Sequence, residues 1–186
     1  MGHPGIGVGE ARATVDRGIR PARAYSWMLM ESSFAVPLAD RWFEDYVPGL
    51  VARYGSALVT EADIVRFAET FDPHDMHADP VGAVDGPFGG LIASGWHTTA
   101  VMMRIMVDHY LNQRTSLSSP GVDALRWRLP VRAGDVLSVR FTVVSARISA
   151  SKPDRGLVHT RIEVFNQHEE IVMSQVMMNL ILRRPS

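Results

Sequence analysis

Between Asp72 and Asp79 the chain gathers three carboxylates and two imidazoles, in the run Phe71-Asp72-Pro73-His74-Asp75-Met76-His77-Ala78-Asp79-Pro80. An imidazole carries protons near neutral pH, and a neighbouring carboxylate orients and tunes it. A carboxylate and an imidazole that converge can grip one water and move its protons. Spacing decides whether they converge. On an unbroken helix Asp72 and His77 would lie about 140° apart around the axis and could not share a target. Pro73 removes that obstacle, because its ring disfavours the helical conformation at Asp72. The segment is therefore expected to be a loop, free to fold both side chains towards one point.

Two helices are expected on either side of this loop. Thr60 begins the first, three residues before Asp63, as a variant capping box with Asp in place of Glu. Ile64, Val65, Phe67, Ala68 and Phe71 follow at helical spacing, and Pro73 ends it. The loop continues through Pro80, Gly82, Gly86, Pro87, Gly89 and Gly90 to Ser94, a plausible N-cap. The second helix is expected to run to Tyr110 or Leu111. Its apolar residues cover nearly every side, the pattern of a buried helix. Upstream, residues 50–54 are a candidate strand ended by Gly55-Ser56. Downstream, residues 122–131, 136–149, 157–165 and 171–182 are rich in Val, Ile, Phe and Leu and are separated by short turns. They are expected to form an antiparallel meander with the long helix on one face, an α+β arrangement.

The run at 71–80 resembles the motif of MaoC-like and (R)-specific enoyl-CoA hydratases, Gly-Asp-x-Asn-Pro-x-His followed by Asp-Pro. Asp72 and His77 fall on its two catalytic positions, and Asp79-Pro80 on the trailing pair. Phe71, His74 and Asp75 stand where the motif has Gly, Asn and Pro. The segment from Gly86 to His97 is similar to the family's entry into its central helix. Gly121 to Trp127 and Ser151 to Gly156 are similar to its later strands and hairpin. The likeness spans roughly residues 42 to 183. It implies one hot-dog domain that adds water across a trans-2-enoyl thioester, giving a 3-hydroxyacyl thioester. It further implies that the backbone N–H of Gly95 meets negative charge on the thioester oxygen. Ser94, Trp96 and Met103 are the helix positions expected beside the substrate. Met103 stands where some members place a Ser, and the Met-rich face could wall an acyl pocket. His74 is expected at the rim, His97 as a packed helix residue, and Lys152 and Arg155 as solvated turn charges. A thioesterase using a carboxylate-activated water, or a non-catalytic subunit binding acyl thioesters, remain alternatives.

Composition narrows the field further. The 186 residues include no cysteine, so disulfides, thiolate nucleophiles and cysteine zinc sites are excluded. A net charge of -1 from 19 basic and 20 acidic residues, without a basic stripe, argues against nucleic acid. No stretch approaches the roughly 20 apolar residues of a membrane span, and no signal-peptide core opens the chain. The expectation is a cytoplasmic protein without metal or cofactor. Its substrate would be a coenzyme A or acyl-carrier thioester, and its state a homodimer or larger even oligomer. Residues 1–40, Gly-rich at the start, are expected to be a flexible or loosely docked extension, and residues 41–186 the domain.

Overall fold

The computed structural model describes residues 31–32 and 34–185. Most of the expected extension, residues 1–30, lies outside the described residues. Its last part packs on the domain. The Phe34 ring meets Tyr46 and Tyr110 edge-on at 5.2 and 5.7 Å between centroids.

Among the described residues nine α and β elements follow one another: β1 (Glu31–Ser32), β2 (Val51–Leu58), α1 (Glu61–Phe71), α2 (Asp75–Ala78), α3 (Gly95–His109), β3 (Ser116–Trp127), β4 (Val136–Ile148), β5 (Arg155–Phe165) and β6 (Ile171–Leu182). The strands form one antiparallel sheet in the order β1-β2-β4-β5-β6-β3. The long helix α3 packs against β2 and β4, as expected of an α+β domain.

The sheet departs from a simple meander. Only β4, β5 and β6 are joined by short hairpins. β3 begins earlier than expected and pairs with β6, at the far side of the sheet from β1 and β2. The stretch 128–135 must therefore carry the chain from one side of the sheet to the other. β2 also runs on through Gly55-Ser56, which had been expected to end it. Gly55 sits at φ +100, and a Cβ there would stand 2.9 Å from Ile105 Cδ1. Glycine permits both the bulge and the close approach of α3.

Capping chemistry fixes the helix starts. The Thr60 hydroxyl accepts the N–H of Asp63 at 3.1 Å and donates to the Asp63 carboxylate at 2.6 Å. Ser94 caps α3 by accepting the N–H of Trp96 at 3.2 Å. Pro73 follows directly on the C-cap of α1. The core then assembles along one face of α3: Met102, Ile105 and Met106 are fully buried, and Tyr110 stacks on Phe141 at 4.4 Å. Burial of each such side chain contributes about 1.5–3 kcal/mol. The helix is not buried all round, contrary to its apolar composition. Trp96 is 57% exposed, and Arg104 faces solvent in an ion pair with Asp108.

Candidate active site

Pro73 does end α1, but the following segment is more ordered than a loop. The chain re-enters a single helical turn, α2, and later a short 3-10 turn at Gly82–Asp85. This turn swings His77 back towards Asp72, the last-turn neighbour of α1. His77 Nε2 lies 3.6 Å from Asp72 Oδ2. The His77 ring is buried, and its Nδ1 is 2.8 Å from the carbonyl oxygen of Ile92. A carbonyl can only accept, so Nδ1 carries the hydrogen. In a neutral ring Nε2 then presents its bare lone pair to Asp72. The Ile92 carbonyl is itself fixed, because the N–H of Ile92 donates to Met76 O at 3.0 Å and that of Ala93 to Val131 O at 2.8 Å.

Asp72 is held from both sides. Ser94 Oγ donates to its Oδ2 at 2.6 Å, and His74 Nδ1 lies 2.6 Å from its Oδ1. The Ser94 hydroxyl, and after it the hydrogen bond from His74, keep the carboxyl below its ordinary value. A carboxylate oxygen and an imidazole lone pair thus face each other just beyond hydrogen-bond distance. Both are acceptors, and a water offers two donors. One water can bridge them.

Gly95, the first residue of α3, has its N–H ahead of the helical hydrogen-bond ladder. A Cβ at this position would lie 2.4 Å from the Trp127 ring, so only glycine lets β3 close over the helix end. Gly95 and His77 line a cavity of about 270 Å³ together with Thr98, Trp127, Val131 and Val172. Asp72 and Ser94 are not in the lining but stand behind His77, Asp72 facing its Nε2 and Ser94 bonded to Asp72. Trp96 and Met103 do not line this cavity: Trp96 packs edge-on against Trp127 at 5.2 Å, and Met103 packs against the core. Sequence reasoning missed Thr98, Trp127 and the Ile92 carbonyl. Trp127 arrives from a strand far along the chain, and Ile92 acts through its backbone, so neither left a local signal. His97 packs within the fold, its ring stacked on Phe67 at 4.9 Å, and burial lowers its pKa. Among the described residues no three His, Asp or Glu side chains are placed to hold a metal ion, and no helix is long and apolar enough to cross a membrane.

Comparison with known proteins bears on the family and the fold. The family described as "MaoC like domain" matches residues 44–164. A crystal structure of the MaoC-like dehydratase from Rhodospirillum rubrum superposes with a TM-score of 0.70 at 38% identity, covering 78% of this chain and 99% of that one. The chain is 29% identical over 141 residues to YdeM of Bacillus subtilis, an uncharacterised protein, covering 75% of this chain and 98% of the relative. It is 32% identical over 107 residues to a 3-hydroxybutyryl-CoA dehydratase of Methylorubrum extorquens, covering 55% of this chain and 63% of the relative. The helix held in an antiparallel sheet is the hot-dog arrangement.

Proposed function

This chain belongs to the MaoC-like domain family, and from that membership we propose that it reversibly hydrates a trans-2-enoyl thioester to an (R)-3-hydroxyacyl thioester. The observation that carries this reading is the pair of acceptors, Asp72 Oδ2 and His77 Nε2, facing each other at 3.6 Å beside the cavity. A water held between them is aligned for attack on the β-carbon. As its oxygen bonds to that carbon, its proton passes to the pair. The pair returns a proton to the α-carbon on the same face, so the sum is addition of one water. Negative charge developing on the thioester oxygen meets the N–H of Gly95, at the positive end of the α3 dipole. The dehydration direction uses the same steps reversed.

Trp127, on the far edge strand β3, walls the cavity, and β3 exposes Leu117, Val122 and Trp127 at 41%, 42% and 46%. An apolar edge strand left open is a template for pairing. A homodimer, or a larger even assembly, formed along β3 would cover it and close the cavity. Light scattering showing an active monomer at micromolar concentration would contradict that assembly.

The deciding experiment offers a short enoyl-CoA and follows gain of water by mass spectrometry alongside release of free thiol. Water gain without thiol is expected. Thiol release would point to a thioesterase acting on the thioester carbon. Binding without either product would point to a non-catalytic acyl-thioester subunit.

A further inference from the structure

Along β6 the residues Met173, Gln175, Met177, Asn179 and Ile181 share one face, and all are at least nine-tenths buried. An inward sheet face ordinarily carries apolar side chains. Gln175 and Asn179 break that rule. Gln175 is 2% exposed, and neither its Nε2 nor its Oε1 has a hydrogen-bond partner among the described residues; the same holds for Asn179 Oδ1. Leaving a buried amide unpaired is destabilising, and a methionine of similar volume would remove the cost. Methionine already stands on either side of Gln175.

The strand opposite Gln175 is irregular. Its β5 neighbour Ile162 is fully buried. On β3 the register breaks where Asp123 pairs with Val176 and Arg126 with Ser174, so two residues, Ala124 and Leu125, stand against Gln175 alone. Ala124 sits in the left-handed region at φ 52. Such a bulge bends the strand away and leaves its partner without an in-register neighbour. The same core holds Met102 and Met106 of α3, buried, and Met103 packs against it. Thioether side chains of this kind reorient readily.

The face also connects to the cavity. Trp127 Nε1 donates to Thr99 Oγ1 at 3.3 Å, and Thr99 Oγ1 in turn lies 3.4 Å from Met173 Sδ. Trp127 walls the cavity, and Gln175 follows Met173 about 7 Å further along the strand. Met173 stands between the two.

We propose that the space between α3 and β6, reached past Met173, receives the acyl chain, and that Gln175, with Asn179 beyond it, selects chains bearing a neutral oxygen, a hydroxyl or a keto group, over plain alkyl chains. This rests on the thioester reading of the cavity. A carboxamide both donates and accepts, as a hydroxyl does, and its N–H suits a keto oxygen. None of the side chains on this face of β6 from Met173 to Ile181 is charged, which disfavours a carboxylate.

The test measures binding rather than turnover. Saturated medium-chain acyl-CoAs, plain or carrying one hydroxyl moved a carbon at a time, are titrated calorimetrically into the wild type and Gln175→Met. At least one isomer should bind the wild type about tenfold or more tighter than the plain chain. In Gln175→Met that preference should vanish while the plain chain binds as well or better. A wild type that binds plain chains as tightly as every hydroxylated isomer overturns the proposal. So does a variant whose preference is intact and whose melting temperature alone has changed. Should Gln175→Met fail to fold, the wild-type preference decides. Hydration of a short enoyl-CoA, whose chain ends before Gln175, should be alike in both proteins. Its failure in both would sink the hydratase reading and leave the binding preference to be judged separately.

Discussion

The two ends of α3 treat the same problem in opposite ways. Every helix ends with backbone groups that its own ladder cannot satisfy. At the C-terminal end the chain supplies partners. The buried guanidinium of Arg41 donates to the carbonyls of His109 at 2.8 Å and Tyr110 at 3.2 Å, and the Tyr46 hydroxyl donates to Tyr110 O at 2.8 Å. At the N-terminal end Ser94 serves Trp96 and Asp72 at once, and Gly95 lines the cavity. One end is sealed for stability. The other, on the proposed function, is where a ligand's negative charge would meet the helix dipole. Substitutions at the two ends should therefore separate activity from stability.

The largest effect is expected at the open end, in the pair itself. Asp72→Asn and His77→Gln should each lower turnover about 100- to 10,000-fold, the scale of general acid–base catalysis. Because the two residues hold one water, the double variant should be scarcely worse than the worse single. Initial rates of enoyl-CoA hydration decide this; full activity in either single variant would dismantle the pair. Multiplicative losses would instead assign the residues two independent roles.

Next comes the N–H of Gly95. Pro fits the first position of a helix but lacks that donor, and any Cβ there meets the Trp127 ring. The informative contrast is Trp127→Ala with and without Gly95→Pro. Adding the proline should lower turnover about 100- to 1000-fold with the helix content unchanged by circular dichroism. Equal turnover in the two proteins would remove Gly95 from the mechanism.

The sealed end should respond the other way. Arg41→Met strips hydrogen bonds to a charged donor from buried carbonyls, a loss of about 2–3 kcal/mol or roughly 4–12 °C in Tm. Turnover per folded molecule should stay within about twofold, since none of these contacts reaches the site. A large loss of turnover at unchanged Tm would show that the two ends are coupled.

The smallest effect at neutral pH belongs to Ser94→Ala. The Ser94 hydroxyl is the first cause of the lowered Asp72 pKa. A carboxyl whose folded pKa is depressed is ionised, and stabilises the fold, above its unfolded pKa, and both are lost as pH falls through the folded value. Removing the hydroxyl should move the acid limb of the pH–rate profile upward and cost about 1 kcal/mol as a lost N-cap. An acid limb that stays in place would show that the hydroxyl does not tune Asp72.

Much of this was legible where the physics is local. Thr60 and Ser94 as caps, Pro73 as a stop, and the period-2 strands follow from residue chemistry over a few positions. The Asp72–His77 pair was also readable, since Pro73 lies between its members. What escaped the sequence is long-range. The Ser94 bond to Asp72 joins residues 22 apart, and Arg41 caps a helix end 68 residues downstream. Periodicity says nothing about which strands become neighbours, so β3 was expected beside β4 and lies beside β6. Trp96 and Met103 were expected beside substrate, and neither lines the cavity at Gly95. Gln175 and Asn179 passed as ordinary strand residues, because burial and partners cannot be read from alternation alone.

The placement of β3 also sets an order of assembly. β4, β5 and β6 pair through short hairpins, whereas β3 at 116–127 must find β6 at 171–182. Closing the longer loop carries the larger entropic cost, so distant pairings tend to form late. The strand that brings Trp127 over Gly95 is therefore expected to dock after β4, β5 and β6 have paired. A refolding chain would regain its secondary structure first and its cavity wall afterwards. Stopped-flow circular dichroism should then run ahead of recovered hydration activity, and simultaneous recovery would refute the sequence of events.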